Sequence, residues 1–153
     1  MDALNQKEFY FDDIEIGHSE SLGSYTLSAE NIVEFAEKWD PMPFHVNQDN
    51  CEASIHGGLI ACGVHLLGIR MILTHNMEAL EAVVASFGYD DVRFKAPARP
   101  DDTLSLFAEW TEMRESNSRP DCGIAKLFYR LENQDGETVL SHFDNLLIRK
   151  RPK

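Results

Sequence analysis

Leu59-Ile60-Ala61-Cys62-Gly63-Val64-His65-Leu66-Leu67-Gly68-Ile69-Arg70-Met71-Ile72-Leu73 is the most apolar run of the chain, broken among strongly polar residues only by His65 and Arg70. It is too short and too punctuated for a membrane span, which needs about 20 mainly apolar residues. A helix that is apolar nearly all round has to be buried nearly all round, so the rest of the chain must wrap it. The residues that follow have the pattern for wrapping. Segments 82–87 and 91–96 read as strands on either side of Gly88. From Thr103 to Met113 the chain alternates, with Leu104, Leu106, Ala108 and Trp110 on one face. Ile124 to Leu131 does the same with Ala125, Leu127, Tyr129 and Leu131. Asp135-Gly136 signals a hairpin, from which residues 137–149 return as the last strand. One buried helix followed by consecutive antiparallel strands predicts an α+β domain with a curved sheet wrapped around the helix.

Upstream of the apolar run, Ser28 suits a helix N-cap, with Leu27 and Ile32 spaced for a hydrophobic staple. Ile32, Val33, Phe35, Ala36 and Trp39 then follow helical spacing. Pro41 ends that helix by pushing Asp40 out of the α region. With Pro43 stiffening the next step, Asp40-Pro41-Met42-Pro43-Phe44-His45 reads as a semi-rigid loop that starts on a carboxylate and ends on an imidazole. A short polar helix is expected over 48–53, and Gly57-Gly58 then opens the apolar helix. The strand after the Phe9-Tyr10-Phe11 region is expected to join the sheet.

Composition narrows the function. The 153 residues suit a single domain over 1–153, and 14 Lys+Arg against 26 Asp+Glu give a net charge of −12. That balance argues against nucleic acid, which needs a clustered positive footprint, and against anionic membranes. Arg149, Lys150, Arg151 and Lys153 gather near the C-terminus. The N-terminal residues lack the pattern of a secretory signal, so a cytoplasmic protein is expected. Cys51, Cys62 and Cys122 are odd in number and unpaired in spacing, which reads as reduced thiols. Cys51 and His56 are too isolated for zinc, and no metal is expected.

Asp40 and His45 are the first candidates for chemistry. A helix-end Asp and a loop His satisfied by backbone bonds is the bland alternative, since short Asp/His coincidences are frequent. The sharper reading is an acid–base pair held by two prolines, sharing one water. Gly57 and Gly58 are the second candidates. A junction that needs small residues explains them, but so does a helix start whose amides and dipole favour a developing oxyanion. His65 reads as a satisfied core histidine, and Met71, Met77 and Met113 as packing. Arg93, Lys95 and Arg99 are by default solvated strand-edge charges, although they or the C-terminal cluster are placed to meet the phosphates of a charged ligand.

In this order these elements resemble the MaoC-like dehydratase family, which includes the (R)-specific enoyl-CoA hydratases of the hotdog fold. The resemblance runs from Tyr10-Phe11-Asp12-Asp13-Ile14-Glu15-Ile16-Gly17, through Asp40-Pro41-Met42-Pro43-Phe44-His45 and Gly57-Gly58-Leu59-Ile60-Ala61-Cys62-Gly63, to Arg93-Phe94 and Asp102-Thr103-Leu104. It implies a dimer joined edge to edge, or a dimer of dimers, with acyl-CoA sites near the interface. It also implies that Asp40 and His45 activate a water that adds to a trans-2-enoyl-CoA, giving (R)-3-hydroxyacyl-CoA, while the Gly58 amide holds the thioester carbonyl. No cofactor is implied beyond the coenzyme A of the substrate. Two positions depart from the pattern. Met42 stands where many members carry an amide side chain, and Phe44 where a smaller aliphatic residue is common, which reshapes the acyl pocket.

Two rival functions are weighed against this. A hotdog acyl-CoA thioesterase is suggested by Asp40 with His45-Val46-Asn47, but the spacing is one residue too long. No Asp or Glu occurs between Gly58 and Asn76 to replace that motif. A non-catalytic acyl-CoA-binding subunit is suggested by Met42, but the carboxylate, the imidazole and the glycines are all retained.

Overall fold

The computed structural model describes residues 8–49 and 54–153. Five antiparallel strands, β1 (Ser19–Thr26), β2 (Val83–Phe94), β3 (Thr103–Glu115), β4 (Cys122–Glu132) and β5 (Thr138–Arg149), form one sheet in the order β1-β3-β4-β5-β2. Helices α1 (Ala29–Trp39), α2 (Pro43–Val46) and α3 (Gly63–Thr74) complete the α+β hotdog, with α3 lying against β1 and β3. The expected alternation holds: Leu104, Leu106, Ala108 and Trp110 on β3, and Ala125, Leu127, Tyr129 and Leu131 on β4, are all buried. They meet Leu66, Ile69 and Leu73 of α3 in one core, where each such aliphatic side chain contributes about 2 kcal/mol. Ser28 caps α1, its hydroxyl accepting from the Asn31 amide at 3.0 Å.

Three expectations are corrected. The strand around Gly88 is not split: β2 runs through, with register shifts between Val83 and Ala85, Ser86 and Gly88, and Asp90 and Arg93 that absorb the irregularity as bulges. Helix α3 begins at Gly63 rather than at Gly58. The preceding Ile60 and Ala61 amides bond to the Phe44 and Ala98 carbonyls, at 3.1 and 2.9 Å, which keeps residues 59–62 out of the helix. Nor is α3 buried all round: Val64 and Ile72 are each 59% exposed, and Met71, expected in the packing, is exposed beside them. Edge strand β2 adds exposed Val84, Phe87 and Phe94. The short helix expected over 48–53 lies largely outside the described residues.

At the N-terminal end, the Phe11 ring lies directly on Gly123 of β4, so closely that a Cβ there would stand 2.2 Å from a ring carbon. Arg151 closes that turn, its guanidinium pairing with Asp13 at 2.7 Å and its amide donating to Asp12. Lys150 pairs with Glu115, and Arg149 donates to the Glu81 carbonyl. Arg149, Lys150 and Arg151 thus tie the end of β5 to Glu81, to the end of β3 and to the turn at Asp12 and Asp13.

Arg70 is the one strongly charged side chain of α3, and it is almost wholly buried. Its Nε donates to His142 Nε2 at 2.8 Å and its Nη2 to Asp144 at 3.2 Å, with Ser86 donating to the other Asp144 oxygen. The rings of Tyr129 and Tyr89 cover the guanidinium at 4.4 and 4.7 Å. His142 Nδ1 lies 3.1 Å from the Phe143 carbonyl. A carbonyl only accepts, so Nδ1 carries the proton and Nε2 receives from Arg70. Burial, reinforced by the Arg70 charge, pushes the His142 pKa down to about 4, and burial lifts the Tyr129 hydroxyl to about 12.

His142 is therefore neutral in the folded state at a pH where the unfolded chain, with a histidine pKa near 6.5, binds a proton. Its stabilisation is fully present above pH ~6.5 and is lost as the pH falls toward 4, to the extent of about 2–3 kcal/mol. Thermal melts between pH 7 and 5 should show a falling Tm, and His142→Gln should flatten that slope. An unchanged slope in the variant would assign the acid sensitivity elsewhere.

Candidate active site

Asp40 closes α1 as its C-cap, its amide bonded to the Ala36 carbonyl at 2.8 Å. Its own carbonyl accepts from the Met42 amide at 2.8 Å, so the chain reverses tightly around Pro41. Pro43 then opens α2, a position where its missing N–H is no loss. The His45 and Val46 amides return to the Met42 carbonyl at 2.8 and 3.2 Å. The segment expected as a semi-rigid loop is thus a tight turn followed by one helical turn. This compaction brings His45 Nε2 to 3.5 Å from Asp40 Oδ2.

The imidazole is fixed from the other side by the chain that leads into α3. Ile60 donates its amide to the Phe44 carbonyl and receives His45 Nδ1 on its own carbonyl at 2.7 Å. Because a carbonyl only accepts, Nδ1 holds the proton, and in the neutral ring the Nε2 lone pair faces the Asp40 carboxylate. Two lone pairs meeting in this way invite a shared proton or a water between them. The 3.5 Å separation exceeds the 2.7–3.2 Å of a closed hydrogen bond, so both atoms remain open to a third group. His45 is buried, whereas the Asp40 side chain is 43% exposed, which leaves the pair approachable from one side. The Phe44 ring stands edge-on to His45 at 4.5 Å and against His56 at 4.8 Å. Met42 is half exposed at the start of α2.

Gly57 and Gly58 both need positive φ, +68° and +150°. They precede the first residue of α3 by several positions, so the helix-dipole argument made for them from sequence does not apply. Cys62, not Gly58, is the N-cap. What remains is the amide itself: among the described residues the Gly58 N–H has no acceptor. Arg99 shapes this loop. Its guanidinium donates to the His56 carbonyl and sits where a Cβ on Gly58 would be 3.4 Å from Nη1. Arg93, in contrast, is an exposed partner of Asp91 at 2.8 Å, and Lys95 is exposed just past β2.

His65 is corrected as well. It is buried and stacked flat on Phe35, with centroids 4.4 Å apart, but it is not satisfied: Nδ1 has no hydrogen-bond partner. Burial lowers its pKa, so the ring is neutral. One turn earlier, burial raises the pKa of the Cys62 thiol at the N-cap of α3, and the Asp40 carboxylate adds to that rise. The carbonyl of Ile60 and the unpaired nitrogen of His65 carried no signal in the sequence.

Among the described residues no cluster of three His, Cys, Asp or Glu side chains is arranged to hold a metal ion. No helix among them is long and apolar enough to cross a membrane. A cavity of about 350 Å³, lined by Phe9, Trp110 and acidic side chains, includes neither Asp40 nor His45.

The family model described as MaoC like domain matches residues 15–127. An (R)-specific enoyl-CoA hydratase of Rhodospirillum rubrum is 34% identical over 122 residues, covering 76% of this chain and 82% of the hydratase. The crystal structure of a MaoC-like dehydratase from Rhodospirillum rubrum superposes with a TM-score of 0.88 at 27% identity, over 95% of this chain and 99% of that one. A Mycobacterium tuberculosis protein described as having a double hotdog fold matches in fold, with a TM-score of 0.79 at 21% identity. The match spans 98% of this chain and 47% of that one.

Gly58→Ala places a side chain at φ +150° and a methyl against Arg99. It should cost about 1–2 kcal/mol of stability, read from urea denaturation. A variant as stable as the parent would mean that the loop relaxes freely and that Arg99 does not hold it.

Proposed function

Because the chain belongs to the MaoC-like dehydratase family, we propose that it hydrates trans-2-enoyl-CoA reversibly to (R)-3-hydroxyacyl-CoA. The observation that carries this reading is the 3.5 Å approach of His45 Nε2 to Asp40 Oδ2, with the histidine tautomer set by the Ile60 carbonyl. A water held between these atoms gives a proton to the basic member of the pair as its oxygen bonds C3. Electron density moves onto the thioester oxygen, and C2 then takes a proton back from the pair. The water is thus divided between C3 and C2 with no net proton change. The Gly58 amide, which has no acceptor among the described residues, is the donor we assign to the developing enolate oxygen, an interaction worth about 3 kcal/mol in barrier where such donors have been removed.

Coenzyme A enters as part of the substrate, its phosphates meeting Arg93 and Lys95, while Arg99 holds the glycine loop. The exposed apolar stripe of α3 and the exposed edge of β2 support a homodimer in which a second copy covers both. An acidic chain whose described cysteines are both free fits the cytoplasm.

With a short trans-2-enoyl-CoA, loss of the conjugated absorbance should be rapid. Asp40→Asn and His45→Gln should each lower kcat at least about 100-fold while keeping the parental Tm. Hydration that survives both changes would reject the pair, and absence of hydration at every chain length would reject the function. Light scattering after size exclusion should give a dimer mass, and Ile72→Glu should shift it toward a monomer. A monomeric parent would remove the second copy from α3.

A further inference from the structure

A cleft of about 220 Å³ opens between α1 and α3, lined by neither Asp40 nor His45, and His65 stands in its wall. The two nitrogens of that ring differ. Nδ1 is sealed in the protein without a partner, whereas Nε2 has no partner among the described residues yet is not sealed, so it is the ring's polar edge toward the cleft. A proton on Nδ1 would bury an unsatisfied N–H, while a proton on Nε2 leaves only a bare lone pair inside and turns the N–H to the cleft. The stack on Phe35 fixes the ring plane.

The rest of the wall is consistent with an uncharged ligand group. Phe35 and Trp39 supply aromatic surface. Asn31 accepts the Tyr25 hydroxyl on Oδ1 at 3.3 Å, which leaves its NH₂ as a second donor. Lys38 is already opposed by Glu34 at 3.4 Å, so the cleft presents no free cation to a carboxylate. Trp39 is the residue before Asp40, and His65 lies in the first turn of α3, which starts just after the Ile60 carbonyl that holds His45. The cleft is thus tied to the candidate pair through the end of α1 and the start of α3.

The geometry points to this cleft as the acyl-chain subsite and to His65 as a specificity residue, its Nε2–H donating to a hydroxyl or carbonyl oxygen carried on the acyl chain beyond C3. The preferred substrates are then oxygenated enoyl-CoA thioesters rather than plain hydrocarbon chains. The assignment rests on the hydratase reading for its substrate class, but it makes a separate claim about binding.

The test compares trans-2-hexenoyl-CoA with its 5-hydroxy analogue in turnover, and hexanoyl-CoA with 5-hydroxyhexanoyl-CoA in calorimetric binding. Parent, His65→Phe and His65→Gln proteins are used. The parent should favour the hydroxylated member of each pair about tenfold, the worth of one well-placed hydrogen bond. His65→Phe keeps the aromatic stack without the donor and should bring the ratio close to one. His65→Gln keeps an N–H and should retain part of the preference. The Tm of His65→Phe should match or exceed the parent's, because a buried orphan nitrogen is removed.

Equal ratios in parent and His65→Phe, or a parent preference for the plain chain, would overturn the assignment even with rapid hydration. A preference in binding that His65→Phe abolishes, without hydration of either substrate, would uphold it and reject the hydratase reading. No binding of either saturated thioester would overturn both.

Discussion

Helix α3 sets the terms for everything around it. A segment with this little polarity has to be covered, and one five-stranded sheet covers one side of it. Leu66, Ile69 and Leu73 turn into the sheet, while Val64, Met71 and Ile72 remain outside on the opposite stripe. The sheet ends on β2, which exposes Val84, Phe87 and Phe94, and Phe94 lies against Gly63 at the start of α3. Enclosure of α3 is thus half achieved within the chain, and the other half is the physical argument for a second copy. The same helix carries His65 to the wall of the cleft and Arg70 into the sheet, so its position fixes both that wall and the buried polar cluster.

Three buried histidines show how one side chain is given three behaviours by its neighbours. His45 and His142 each donate Nδ1–H to a backbone carbonyl, which fixes the same tautomer. They differ in what faces Nε2. For His142 it is a guanidinium N–H, which closes the site and keeps the ring a neutral acceptor down to about pH 4. For His45 it is a carboxylate at a distance too long to close, which leaves both atoms open to a third group. His65 has no carbonyl for Nδ1, so its tautomer is reversed and its donor faces outward.

The polar cluster of Arg70, His142 and Asp144 also shows what a buried charge contributes. Each charge is costly to desolvate, and Arg70 is accommodated only because its donors reach both partners and two tyrosine rings cover its face. Because the cluster ties α3 to β5 and, through Ser86, to edge strand β2, it holds the helix at a defined height against the sheet. Removing a single partner would leave its counterpart stranded, so the residues act as a unit.

The sequence by itself determined the class of fold and singled out Asp40 and His45 as the candidate pair. Period-2 alternation in β3 and β4 and the apolar run at 59–73 are local patterns, and each predicts burial wherever the chain goes. Asp40 and His45 were legible because two prolines restrict the backbone between them. Only the tertiary structure decided where α3 begins, since that depends on Ile60 and Ala61 bonding to Phe44 and Ala98, residues far off in sequence. It also decided that Arg99 shapes the glycine loop, that His45 is anchored by a backbone carbonyl, and that His65 is unsatisfied. Backbone carbonyls are the same at every position of a sequence. Which carbonyl a histidine meets, or fails to meet, exists only once the chain is packed.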